Sequence, residues 1–306
     1  MRCLSSYQER LTAGSPASQC ADERGDHTHC RESAPVTVER AGGSHDFTII
    51  AHRGVTDRAP GNTVAAFRAA RALGVDGVEL DVRLSRDGVP FIHHNWYLDE
   101  EVPQPVPVHS LSAAELRMET VRDDRPAYSR QHPIPTLDEV LREFAGNLVL
   151  EIELKSPEPE LPSAVGSALE PFRASWPTIE LTSDSTSLLA DAHLRCPGIR
   201  TGLLLGRRPA YMGSDVLGYF AVQSAKLANA SVVHMDTGDL GASVVATVRA
   251  AGLDIHVYPV NDNDAVDLVR RYGVREVVTD AAARILDLRH SAAGSPRDSA
   301  GEGAGP

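Results

Sequence analysis

The sequence predicts an α/β fold, a TIM (β/α)8 barrel with a small insertion after a β-hairpin that follows the second strand. Three observations lead there. Short β-branched or apolar runs alternate with helix-like segments over most of the 306 residues, the alternation expected of a parallel sheet with crossover helices. One run follows its predecessor after only about six residues, RLSRDG, too few for a parallel crossover, so those two strands form a hairpin. Setting the hairpin strand aside leaves eight βα units in about 250 residues, the size of such a barrel. A doubly wound open sheet is the alternative, but no glycine-rich dinucleotide fingerprint supports it.

The elements follow in chain order. FTIIA (47–51) is the first strand, and a helix runs from about Thr63 to Leu73, with Asn62 as candidate N-cap and Gly74 as its stop. GVELDV (77–82) and FIHH (91–94) make the hairpin, and residues 97–133, rich in Pro and polar residues, form the insertion. Thr136-Leu-Asp-Glu139 has capping-box spacing and starts a helix ahead of the strand LVLEIEL (148–154). The remaining strands are TIELTS (178–183), RTGLLL (200–205), SVVHMD (231–236), DIHVYP (254–259) and EVVTD (276–280). Asp262 or Asn263 caps the helix that Gly273 ends. The barrel domain spans 47–289. Residues 1–46 and 290–306 carry no periodicity, are rich in small and polar residues, and are expected to be unstructured tails.

Composition bounds the function. A 42% hydrophobic, 24% charged chain can bury a sizeable core, and a net charge of −12 repels phosphate backbones, which excludes nucleic acid as a general partner. No apolar run approaches the roughly 20 residues of a membrane span, and no basic-faced amphipathic segment suggests stable membrane insertion, so a small-molecule substrate is expected. The start, MRCLSSYQERLTAGS, lacks the apolar centre of a secretory signal, which makes the cytoplasm the expected location. Three of the four cysteines lie in the first 30 residues, which is not a disulfide framework. The group Cys20, His27, His29 and Cys30 matches no usual zinc spacing.

Period-two alternation selects the chemistry. In GVELDV, Val78, Leu80 and Val82 share one face while Glu79 and Asp81 share the other; in LVLEIELK, Glu151, Glu153 and Lys155 oppose Leu150, Ile152 and Leu154. A parallel barrel strand has no solvated face, so these carboxylates point into the barrel mouth, where they repel one another unless a cation sits among them. Hard oxygen ligands favour Mg2+ or Ca2+ over zinc, with Glu79, Asp81 and Glu153 as candidate ligands. His52 follows the first strand in Ala51-His52-Arg53-Gly54, and His93 and His94 close the hairpin. Two histidines near a divalent cation suit acid/base cleavage of a phosphodiester, with Arg53 and Lys155 offsetting negative charge. Gly54 is expected to let its loop pass close to a ligand.

These residues also form an ordered set of motifs: His52-Arg53-Gly54, Pro60-Gly61-Asn62-Thr63, Ala66-Phe67, Gly74, Glu79-Leu80-Asp81-Val82, Asp87-Gly88 and His94. Ile134-Pro135-Thr136-Leu137, Glu153-Leu154-Lys155, Val260-Asn261, Gly273-Val274 and Thr279-Asp280 follow. Over about 47–288 the set resembles the signature of glycerophosphodiester phosphodiesterases. The resemblance implies hydrolysis of a glycerophosphodiester to an alcohol and glycerol 3-phosphate in a TIM barrel. It implies Glu79, Asp81 and Glu153 as ligands of a divalent metal, His52 and His94 as the acid/base pair, and Arg53 and Lys155 at the phosphate. His93 falls at a variable position. Water or a neighbouring glycerol hydroxyl is the nucleophile.

Four positions depart from the family pattern. Gly61 stands where a Glu is usual, and Asn95 replaces an Asp beside His94, which is expected to lower that imidazole's basicity. Tyr258-Pro259 replaces Trp-Thr, so Tyr258 is the candidate aromatic wall of the substrate pocket. Glu151, at a position that is often Asn, is expected to offset part of the charge missing at Gly61. Gly61 and Asn95 keep open a barrel that binds a phosphodiester without cleaving it, and a lyase-type outcome releasing a cyclic phosphate is a further alternative.

Overall fold

A computed structural model describes residues 47–98, 104–121, 132–155 and 157–293. The segment 1–46, including the Cys20 to Cys30 group, and residues beyond 293 lie outside the described residues. In chain order the strands are β1 (Thr48–Ala51), β2 (Gly77–Leu84), β3 (Pro90–Ile92), β4 (Thr120–Val121), β5 (His132–Pro133), β6 (Val149–Leu154), β7 (Ile179–Ser183), β8 (Arg200–Leu204), β9 (Val232–Asp236), β10 (Asp254–Tyr258) and β11 (Glu276–Thr279). The helices are α1 (Val64–Leu73), α2 (Ala113–Leu116), α3 (Leu137–Phe144), α4 (Leu161–Leu169), α5 (Thr186–Arg195), α6 (Ser214–Ala228), α7 (Ala242–Ala250), α8 (Asn263–Tyr272) and α9 (Ala282–Ala293).

Eight strands pair in parallel in the order β1-β11-β10-β9-β8-β7-β6-β2, and β1 pairs with β2 to close the barrel. β3 lies antiparallel on β2, as expected for the hairpin. Of the insertion, the described residues hold α2 and the two-stranded β4–β5 ribbon. They pack around a separate small core of Phe91, Val108, Leu116 and Ile134.

The helix boundaries follow local chemistry. Thr136 and Glu139 form a reciprocal capping box at α3, and Asp262 caps α8, which Gly273 ends in the left-handed conformation. At α1 the N-cap is Thr63, whose side chain accepts from Ala66 N, rather than Asn62. Asn62 instead grips the second strand, where its amide donates to Asp81 Oδ2 at 2.6 Å while its Oδ1 accepts from Asp81 N. Gly54 also serves a different purpose from the one expected. At φ +86° a Cβ there would stand 2.7 Å from the backbone of Ala66, so the glycine lets α1 pack on the first loop and makes no opening for a ligand. α9 runs to Ala293, taking the first four residues of the expected C-terminal tail. It is tied back by Arg289, which donates to Phe47 O at 3.1 Å and to the Asp76 carboxylate.

The barrel has two unlike layers. Outward-facing strand residues such as Val78, Leu80, Val82, Leu150, Ile152 and Leu154 join one apolar cluster with Phe67 of α1 and Phe144 of α3, whose rings meet edge to face at 5.9 Å. The inward face is polar. Glu79, Glu151, Glu180 and Arg200 are in register across β2, β6, β7 and β8, and His234, His256 and Glu276 are in register across β9, β10 and β11. Bulky aliphatic side chains usually fill this space. Here carboxylates and imidazoles occupy it, and the surrounding annulus of helices supplies the apolar burial.

Candidate active site

The C-terminal ends of the strands surround a cavity of about 430 Å3. Seven of the eight expected site residues line it: His52, Arg53, Glu79, His94, Glu153, Lys155 and Tyr258. The eighth, Asp81, is fully buried behind them. β1 delivers His52 and Arg53 at its end, β2 and β6 supply the carboxylates from their inward faces, and the hairpin brings His94 across from the side.

Asp81 is the hub. Its Oδ2 meets Arg53 Nε at 3.1 Å and Asn62 Nδ2 at 2.6 Å, and its Oδ1 lies 2.9 Å from Lys155 Nζ. Burial would raise its pKa, but Lys155, Arg53 and His94 outweigh burial and hold it at about 2. Lys155 also donates to Glu153 Oε1 at 2.6 Å, so its ammonium bridges two of the three expected ligands. Glu79 has less support. Its Oε2 accepts from Arg53 N at 3.1 Å, while its Oε1 is buried without a hydrogen-bond partner. Burial, then repulsion from Asp81 and Glu153, pushes Glu79 well above the usual carboxylate range.

This arrangement fits a divalent cation. Glu79, Asp81 and Glu153 each offer an oxygen within 4.8 Å of the others, one of those carboxylates has an orphaned oxygen, and oxygen-only ligation suits Mg2+ or Ca2+.

The two histidines are held alike. His52 Nδ1 lies 2.6 Å from Asp280 Oδ1, and a carboxylate can only accept, so Nδ1 carries the proton and Nε2 is left toward Glu79 Oε2, 3.8 Å away. Asp280 is itself bound by Asn261 Nδ2 at 3.1 Å, and the His52 hydrogen bond, the larger cause, with that from Asn261 lowers its pKa to about 2. His94 Nδ1 lies 2.6 Å from Asn95 Oδ1, which again leaves Nε2 for a ligand. Burial, with Arg53 and Lys155, lowers the His94 pKa below that of a free imidazole, and the bond to Asn95 opposes the shift. The depression expected from Asn95 is thus mainly a burial effect. Arg83 fixes the loop by donating to His94 O at 3.0 Å while stacking on Trp96 at 4.1 Å. His93 is turned aside, its Nε2 2.9 Å from Tyr97 O.

The Tyr258 ring forms part of the cavity wall, and its hydroxyl donates to Leu205 O at 2.6 Å. Burial, then Glu153, pushes that phenol up to about 12, so it remains a neutral wall residue. Gly61 packs closely against Arg53, whose Cβ would lie only 3.1 Å from a Cβ placed there. Glu151 lines the cavity floor and turns to the interior, its Oε1 3.4 Å from His234 Nδ1. The site also includes Asp184, which sequence reasoning did not single out.

This architecture and donor set can be placed among known proteins. The family model described as "Glycerophosphoryl diester phosphodiesterase family" matches residues 52–284. The chain belongs to this family. A glycerophosphodiester phosphodiesterase of Caldanaerobacter subterraneus is 30% identical over 248 residues, covering 78% of this chain and 96% of that protein. An Oleispira antarctica phosphodiesterase, solved in complex with the product sn-glycerol-3-phosphate, superposes with a TM-score of 0.66 at 25% identity, covering 78% of this chain and 95% of that one. The glycerophosphodiester phosphodiesterase of Thermotoga maritima shares the fold at a TM-score of 0.63 and 24% identity, covering 81% of this chain and 100% of its own. As a glycerophosphodiester phosphodiesterase of this family, the chain is a phosphoric diester hydrolase built on a TIM barrel. Among the described residues no helix is long and apolar enough to cross a membrane.

Proposed function

We propose that the chain hydrolyses a small glycerophosphodiester to an alcohol and glycerol 3-phosphate, with His52 and His94 as the acid/base pair and Glu79, Asp81 and Glu153 as ligands of Mg2+ or Ca2+. The supporting observation is that both imidazoles have Nδ1 held by a neighbouring acceptor and Nε2 left for the cavity that Glu79 and Glu153 also line. His94, with its lowered basicity, is neutral near pH 7 and takes the proton of the attacking hydroxyl. His52, its Nδ1–H held by Asp280, gives an Nε2 proton to the departing alcohol oxygen. Glu79, Asp81 and Glu153 would hold the cation, which would offset their charge and supply Lewis-acid polarisation of the phosphodiester. Arg53 and Lys155 bring positive charge to the same place and offset that of the phosphodiester. The Tyr258 face contacts the substrate.

The test is release of glycerol 3-phosphate from a panel of glycerophosphodiesters, with and without added Mg2+ or Ca2+, followed by phosphorus NMR. Metal-dependent appearance of the monoester supports the reading. A cyclic phosphate as end product would show a lyase, and binding without turnover on any diester would overturn hydrolysis.

A further inference from the structure

The outer face of α6 is apolar where a solvated helix would be polar. Leu217, Ala221, Val222, Ala225 and Ala228 are buried on its inner face. Val216, Tyr219, Phe220 and Leu227 expose 48%, 65%, 49% and 72% of their surface. With half-buried Gln223 between them, these four follow the three- and four-residue spacing of a single helical stripe. Scattered apolar side chains on a surface need no explanation, but a continuous stripe with two aromatic rings has the composition of an interaction surface. The helix is also firmly seated. Gly218 lets it pack on α7, since a Cβ there would lie 3.1 Å from Thr247 Cβ, so the stripe is presented on a fixed element at little ordering cost.

Charge brackets the stripe. Asp215 is exposed in the first turn of α6 and Lys226 in the last, and neither side chain has an ion-pair partner among the described residues. Each placement suits the helix dipole. Together they also make the stripe complementary to itself when it is read in reverse. Two copies of a chain with a net charge of −12 repel each other over most of their surfaces, whereas this stripe carries one charge of each sign.

We infer that α6 is the contact helix of a homodimer, packing antiparallel on α6 of a second copy across a two-fold axis midway between Ala221 and Val222. At about 1.5 Å rise per residue, that axis sets Val216 level with Leu227 of the second copy and Phe220 level with its Gln223. Asp215 then stands about 3 Å along the helix from level with Lys226 of the second copy, within reach of the flexible lysine stem. The two-fold repeats every contact, so each dimer holds two such ion pairs and buries four aromatic rings. A parallel pairing is disfavoured, because it sets Asp215 against Asp215 and Lys226 against Lys226.

Sedimentation equilibrium of the full chain at micromolar concentrations and low salt, where surface charges are least screened, should show a monomer–dimer equilibrium. Phe220→Glu combined with Leu227→Glu should raise the dimer Kd by at least about a hundredfold. Asp215→Lys and Lys226→Asp should each raise it about tenfold, because both symmetric pairs become like-charged. An equimolar mixture of the chain carrying Asp215→Lys and the chain carrying Lys226→Asp should then recover dimer to within about threefold of the parent Kd, since every contact again joins opposite charges. A parent chain that stays monomeric overturns the inference, whether its own terminal residues or a lipid surface covers the stripe. A dimer unmoved by the substitutions at Phe220 and Leu227 overturns it too, and so does a mixture that associates no better than its components. Should the Phe220→Glu and Leu227→Glu chain not fold, the mixture decides, because Asp215 and Lys226 are exposed and their substitution leaves the packing of α6 intact. None of these residues lines the catalytic cavity, so the outcome is independent of the hydrolytic reading.

Discussion

The mouth and the interior of the barrel are built from the same residue types, yet they solve the charge problem in opposite ways. At the mouth, Asp81 and Glu153 share Lys155, Arg53 spans Asp81 and the Glu79 oxygen, and the cavity gives Arg53, Glu153 and Lys155 access to water and ligand. At the cavity floor, Glu151, in register with Glu79, and the fully buried Glu180 meet His234. Partially exposed charges can exchange partners at low cost, as a site that binds and releases an anion requires. Fully buried charges must keep fixed partners, because leaving one unpaired costs several kcal/mol.

The comparison can be broken most decisively at the mouth. Chelation by EDTA should abolish phosphodiester turnover, and Mg2+ or Ca2+ should restore it; a chelated enzyme at full speed would remove the cation from the reaction. Next in size, His52→Ala and His94→Ala should each lower kcat by roughly 10²- to 10⁴-fold with little change in Tm. Activity within a few-fold of the parent in either variant would end the acid/base assignment.

In the interior the expected effect is on stability. His234→Leu leaves Glu180 and Glu151 facing an apolar side chain and should cost about 3–5 kcal/mol in denaturant unfolding, as for a broken buried pair. A cost below about 1 kcal/mol would show that this layer relaxes as easily as the mouth. Asp280→Asn should cost about 10- to 100-fold in kcat, with KM little changed, because it loosens His52 without touching the substrate. An equal rise in KM would mean that Asp280 binds substrate.

The smallest effect concerns pH. A carboxylate beside His94 favours its protonated form, so Asn95→Asp should move the acidic limb of the kcat/KM profile upward by less than about one pH unit. An unmoved limb would assign that limb to another group. Asp280 gives a matching sign for stability. Its folded-state pKa of about 2 lies below the unfolded value, so its stabilising contribution is complete above about pH 4 and is lost as pH falls toward 2.

Much of this molecule was determined by the sequence alone. All nine strand runs form, because their apolar alternate faces need burial against helices. The eight-unit count and the short RLSRDG connection lead to a closed barrel with one hairpin. The same alternation in GVELDV and LVLEIELK turns Glu79, Asp81, Glu151 and Glu153 inward, and the ordered motifs identify the family. Period-two reasoning extended to TIELTS, SVVHMD, DIHVYP and EVVTD would also have turned Glu180, His234, His256 and Glu276 inward.

Tertiary structure decided which of these groups meet. Asn62 and Thr63 are both good caps, and only the approach of β2 assigned Asn62 to Asp81 and the cap to Thr63. His52 and Asp280 lie 228 positions apart and become partners because β1 and β11 are neighbours in the closed barrel. The His234–Glu180 pair spans the barrel interior, and its register follows from strand order and stagger around the whole ring. Side-chain direction is a property of each strand, but a contact between strands exists only once the barrel has closed.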